Sequence, residues 1–142
     1  MSWLGFAILT IIFYAVFDFF VKLSSVKIHA GLGGFIINAV SAVVLLIFIA
    51  LTKLRGEEIP NPKPGGVLYS LLAGISIGLA TIVFLKMFAT GVNFSIGIPF
   101  VRIGIVLLAS LLGIFLLKEG FTIRYLLGFI LSLAGLYLLI NK

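Results

Sequence analysis

Apolar residues run almost unbroken through five stretches of this chain, Trp3–Ser25, Gly31–Thr52, Val67–Thr90, Ser95–Leu117 and Thr122–Ile140. A helix needs about 20 such residues to cross a hydrocarbon core roughly 30 Å thick, so the pattern predicts five membrane-spanning helices. The first stretch is too long and too aromatic for a signal peptide, and no small-residue cleavage site follows it. One break between stretches is long, "KLRGEEIPNPKPGG" from Lys53 to Gly66. It holds three of the four prolines and two of the four acids, which reads as a solvated turn. The remaining breaks are a few residues each, which makes successive helices antiparallel neighbours. The expectation is an all-α integral membrane protein in which residues 1–142 form one domain without a soluble part.

Composition supports that solvent. The chain is 63% hydrophobic and 10% charged, with a mean hydropathy of +1.38. Soluble domains carry about 45–50% apolar residues and about 25% charged ones. With no cysteine and one histidine, His29, neither a thiolate nor a multi-histidine metal site can be assembled. No cofactor or metal is expected. The net charge of +6 is scattered among apolar segments rather than gathered in a stripe, so nucleic acid is not the expected partner.

Charge is more informative about orientation. Lys53, Arg55, Lys63, Lys118 and Arg124 fall on the side of the N-terminus, while Lys27 and Lys142 fall on the other, joined by Lys22 and Lys86 if these reach the interface. The excess places the N-terminus in the cytoplasm. The expected setting is the inner membrane of a prokaryotic cell, crossed several times. Near-balanced charge is also what a chain inserting both ways round would show.

Thr10, Tyr14, Asp18 and Lys22 repeat every four residues and share one face of the first helix. At 1.5 Å per residue, Asp18 lies roughly 22 Å beyond Trp3, and Lys22 about 6 Å further. An ionisable group at membrane depth marks a functional site by default; the plainer alternative is an Asp18–Lys22 pair that locks the helix end. Arg102, about 10 Å into the fourth stretch, and Lys86, near the end of the third, fall at similar depth, as do Asn38 and Ser41. One acid cannot neutralise three cations there, so the surplus calls for water, lipid phosphate or an anionic group. Asp18, Tyr14, Lys22, Asn38, Lys86 and Arg102 are therefore the candidate substrate- and ion-binding residues.

Two further patterns concern the helices themselves. Pro99, flanked by Gly97 and Gly104, removes a backbone donor and predicts a bend next to Arg102, with Gly97 and Pro99 as gating positions. Gly74 and Gly78 in the third stretch, and Gly128 and Gly135 in the fifth, have the small-residue spacing that lets helices approach closely in lipid.

The order of these features resembles a known family. "NFSIGIPFVRIGIVLLASLLGIFLLKEGFTIRYLLGFILSLAGLYLLI" (Asn93–Ile140) is similar to the later part of an EamA repeat of the drug/metabolite transporter superfamily, in its early Pro99, its "LLKEGFT" turn with Glu119, and Gly128 and Gly135. "YSLLAGISIGLATIVFLKMFATG" resembles that family's third helix. "AVFDFFVKLSS", ending on Lys22 and Ser24, resembles the first helix of EamA proteins and of their small multidrug-resistance relatives. The resemblance covers nearly the whole chain. It implies one five-helix inverted-repeat unit, half of a carrier of small metabolites or drugs that is often proton-coupled. Such a half would work as a homodimer, including an antiparallel one, or as a heterodimer with a related half-transporter. Those relatives carry a membrane glutamate eight residues before the lysine; here that position is Tyr14, and the acid falls one turn later.

The expected function is thus a dimeric secondary transporter half moving an anionic or zwitterionic metabolite, with Asp18 as the proton-carrying group. A lipid-linked sugar flippase subunit and a non-transporting membrane scaffold or accessory subunit are the alternatives. An enzyme is not expected, because Glu57 and Glu58 lie in the loop and Asp18 and Glu119 differ too much in depth to act together.

Overall fold

A computed structural model describes residues 2–120 and 122–140, save the side chains at positions 136, 139 and 140. Five helices follow in order: α1 (Trp3–Ser25), α2 (Ala30–Leu54), α3 (Gly66–Ala89), α4 (Phe94–Leu116) and α5 (Ile123–Ile140). Among the described residues, the first four are long and apolar enough to cross a membrane. The described apolar stretch of α5, Ile123–Gly135, is shorter than a span. Lys142, counted above among the charges of the far side, lies outside the described residues.

Polar residues in the breaks end the helices. The Ser2 hydroxyl accepts from the Gly5 amide at the start of α1 (3.4 Å). His29 is a cap: its Nδ1 accepts from the Gly31 amide at the start of α2 (3.2 Å). Between α2 and α3, Gly56 and Gly65 take positive φ values of 73° and 82°, which glycine adopts without steric cost.

The chain divides into two compact units, Met1–Gly91 and Val92–Lys142. In the first, α1, α2 and α3 pack against one another, α2 and α3 most extensively. Among the described residues, all of its buried ones lie at one end: Asp18, Val21 and Ser25 of α1, Gly33 and Gly34 of α2, and Thr81, Leu85 and Phe88 of α3. The antiparallel path brings the end of α1, the start of α2 and the end of α3 together there. Leu85 and Phe88 are fully enclosed, while most large apolar side chains of these helices face outward, as a lipid solvent requires.

Glycine makes this closed end possible. A Cβ at Gly33 would meet the Ile28 Cγ2 at 3.0 Å and a Leu85 methyl at 3.3 Å, and one at Gly34 would meet Ile82 at 3.4 Å. Within the first unit, a Cβ at Gly74 or Gly78 would meet nothing within 4 Å. The close approach of α2 to α3 therefore runs through Gly33 and Gly34.

The second unit is the α4–α5 hairpin. α4 continues through Pro99, and Gly97 is buried. At its far end the Leu117 and Glu119 amides both donate to the Gly113 carbonyl (3.1 Å each), while Lys118 takes φ 55°. The Thr122 hydroxyl accepts from the Tyr125 amide (3.3 Å) to begin α5. The Tyr125 hydroxyl is hydrogen-bonded to the Ser110 hydroxyl, tying the two helices together. Within this unit, Gly128 and Gly135 have open space where a Cβ would stand.

Candidate functional site

The four-residue repeat on α1 divides between two environments. Asp18 is 2% exposed, inside the closed end, whereas Tyr14, one turn earlier, is 46% exposed. Lys22 is half-buried, and its ammonium lies over the Phe88 ring, 5.1 Å from the centroid. It turns onto the core ring rather than simply running out toward the interface, a cation–π contact that shields the charge. Phe88 is itself braced edge-on by Phe84, with centroids 5.1 Å apart. Among the described residues, no buried side-chain nitrogen or oxygen is left without a hydrogen-bond partner, and Asp18 is engaged.

Directly beside this closed end, a groove of about 380 Å³ opens among α1, α2 and α3. Its polar wall is made by Thr10, Tyr14, Asn38, Ser41 and Thr81. Phe13, Phe17, Ile37 and Ile77 supply the apolar wall. Thr81 closes one end, being 4% exposed and part of the buried cluster with Leu85. A volume within the range of small-molecule sites, apolar walls and a few convergent polar groups are the features of a binding site.

Four of the polar groups are held by their own helices. Hydroxyls of Thr10, Ser41 and Thr81 donate to the carbonyls of Phe6 (2.8 Å), Ile37 (2.8 Å) and Ile77 (2.7 Å). The Asn38 amide donates to the Gly34 carbonyl (2.8 Å). Each takes the carbonyl one turn back, the usual way of satisfying a hydroxyl or amide in an apolar helix. Asn38 also borders a second groove of about 430 Å³ between α2 and α3, where Gly31, Gly34, Gly74 and Gly78 leave the backbone bare.

Of the sequence candidates, Tyr14 and Asn38 line the first groove, and Asp18 and Lys22 belong to the closed end next to it. Lys86 is exposed, one residue past the enclosed Leu85, and is not part of the groove wall. Arg102, half-buried and engaged, belongs to the second unit with Gly97 and Pro99. Thr81 was not among the candidates. Its signal was present, because it falls three residues after Gly78 and seven after Gly74, on the same general side of α3.

No family model, no curated protein and no solved structure matches the chain.

Proposed function

We propose that the chain is half of a secondary transporter, an EamA-like five-span inverted-repeat unit that works as a dimer and moves a small metabolite across the membrane. The observation that carries this reading is the groove. A polar-walled cleft set beside a closed, glycine-packed end gives three apolar helices a place to hold a guest and a barrier beyond it. In this reading the dimer supplies the other half of the pathway, and substrate sits near the midplane between repeats. α5 completes the bundle as a fifth span, the N-terminus is cytoplasmic, and the Pro99 region gives α4 a place to bend. Asp18 carries the coupled proton when the closed end opens. Lys86 stands outside the groove of the first unit, so a phosphate grip within that unit has less support and the flippase is the weaker transport reading.

A non-transporting scaffold has one observation in its favour. Its polar face should be fully paired within the bundle, and among the described residues no buried side-chain polar atom lacks a partner. The same reading predicts no cavity, and the groove weighs against it.

Proteoliposomes containing a pH-sensitive dye and challenged with a panel of small metabolites provide the test. Wild type is expected to give substrate-evoked proton flux, and Asp18→Asn to abolish it while still forming cross-linked dimers. Absence of evoked flux across the panel rejects the carrier reading. Flux unaltered by Asp18→Asn removes Asp18 from the mechanism.

A further inference from the structure

Tyr14 apart, whose hydroxyl can donate as well as accept, the polar wall of the groove has a one-sided hydrogen-bonding character. A backbone carbonyl oxygen bears no hydrogen, so a hydroxyl within 2.7–2.8 Å of one must be the donor. The single hydroxyl protons of Thr10, Ser41 and Thr81 are thereby committed to their own helices. Their oxygens keep lone pairs only. Asn38 commits one amide hydrogen to Gly34 and keeps its side-chain carbonyl and one N–H. These four residues thus place four acceptor oxygens on the groove wall against one remaining hydrogen.

Charge selects further. An anion would meet lone pairs where it needs donors, and Lys86 is not on this wall to neutralise it. A cation would shed its water among Phe13, Phe17, Ile37 and Ile77, which is costly without a free counter-ion. The nearby acid, Asp18, is buried and already engaged. The groove is also roomy enough at about 380 Å³, since an enclosed cavity of about 150 Å³ already accepts benzene.

We propose that this groove selects an uncharged, donor-bearing guest: a ring or short hydrocarbon carrying a hydroxyl or amide N–H that points at Thr10, Asn38, Ser41 and Thr81. Its meaning as a substrate class rests on the transporter reading, and it replaces the anionic or zwitterionic guest expected from the cation surplus. Within the first unit, that expectation required Lys86 to border the same cavity as Tyr14. Lys86 is exposed and is not on the groove wall.

A labelling experiment on this cysteine-free chain tests the inference. Ile77→Cys places a thiol on the groove wall, and its modification by a small neutral maleimide is timed in proteoliposomes. Phenol and anisole, compared at equal membrane concentration, differ chiefly in the hydroxyl proton; benzoate and benzylammonium present the same ring with either charge. Phenol is expected to protect the thiol about fivefold more tightly than anisole, the value of roughly one net hydrogen bond. Benzoate and benzylammonium should protect least. Thr10→Val and Ser41→Ala, both at exposed positions, should together bring the phenol-to-anisole ratio toward one. Equal protection by phenol and anisole in the wild-type wall, or strongest protection by either ion, overturns the proposal. If Ile77→Cys fails to assemble, Ile37→Cys on another helix of the same wall gives the same comparison. Evoked flux is scored separately. Donor-selective protection without flux keeps the guest class and rejects the carrier, whereas flux without donor selection does the reverse.

Discussion

Two adjoining regions of the three-helix unit use the same helices and the same apolar alphabet, but one is closed and the other holds a groove. At the closed end, Gly33 and Gly34 let α3 come near enough for Leu85 and Phe88 to vanish from the surface. At the groove, the lining positions include Tyr14, Ile37, Asn38 and Ile77, and no glycine is among them. In water, such a gap between apolar helices would tend to collapse. In lipid the surrounding chains are as apolar as leucine, so proximity depends on side-chain size and specific contacts rather than on hydrophobic pressure. A cleft can therefore persist between greasy helices, both where bulky side chains line it and where Gly74 and Gly78 face open space.

That contrast can be broken most forcefully at Phe88. Phe88→Ala removes an enclosed ring together with the platform under the Lys22 ammonium, and should cost about 3 kcal/mol or more. Equilibrium unfolding in mixed micelles measures this, and an unchanged midpoint would show that the closed end is not what holds the unit together. A subtler comparison sets two glycines against each other. Gly33→Ala drives a methyl against Ile28 and Leu85 and should destabilise by about 1–2 kcal/mol, whereas Gly78→Ala enters open space and should stay within about 0.5 kcal/mol in the monomer. If Gly78→Ala instead weakens dimer cross-linking, the bare face of α3 is a contact between copies. The smallest effect belongs to the groove. Ser41→Ala should leave stability within about 0.5 kcal/mol, because an exposed hydroxyl bonded to its own helix contributes little to packing. A loss comparable to that of Gly33→Ala would mean that the groove wall is structural rather than reserved for a guest.

Much of this was legible beforehand. Run length alone located all five helices to within two residues at each end, because helix ends follow polar breaks such as His29 and the proline-rich loop. Tyr14 and Asn38 were legible as polar exceptions in apolar runs. Asp18 was legible as anomalous, but not as enclosed. The division of one four-residue stripe into groove (Thr10, Tyr14) and core (Asp18) arises because neighbouring helices cover Asp18 and leave Tyr14 and Thr10 open, and the sequence of a single helix does not carry that coverage. Thr81 escaped attention for the converse reason: threonine is unremarkable in a membrane helix until a neighbouring helix covers it.

The sequence by itself determined that the chain is helical and apolar enough for lipid, since both follow from run length and residue type against the thickness of a bilayer. Only the tertiary structure decided which polar groups share a site. Leu85 is enclosed while Lys86 is exposed, a difference set by roughly 100° of rotation about α3. That rotation is fixed by Leu85 seating against Gly33 and Gly34, some fifty residues away in the chain. Periodicity within one helix specifies which residues lie together on a face; it takes a partner helix to specify which face turns inward.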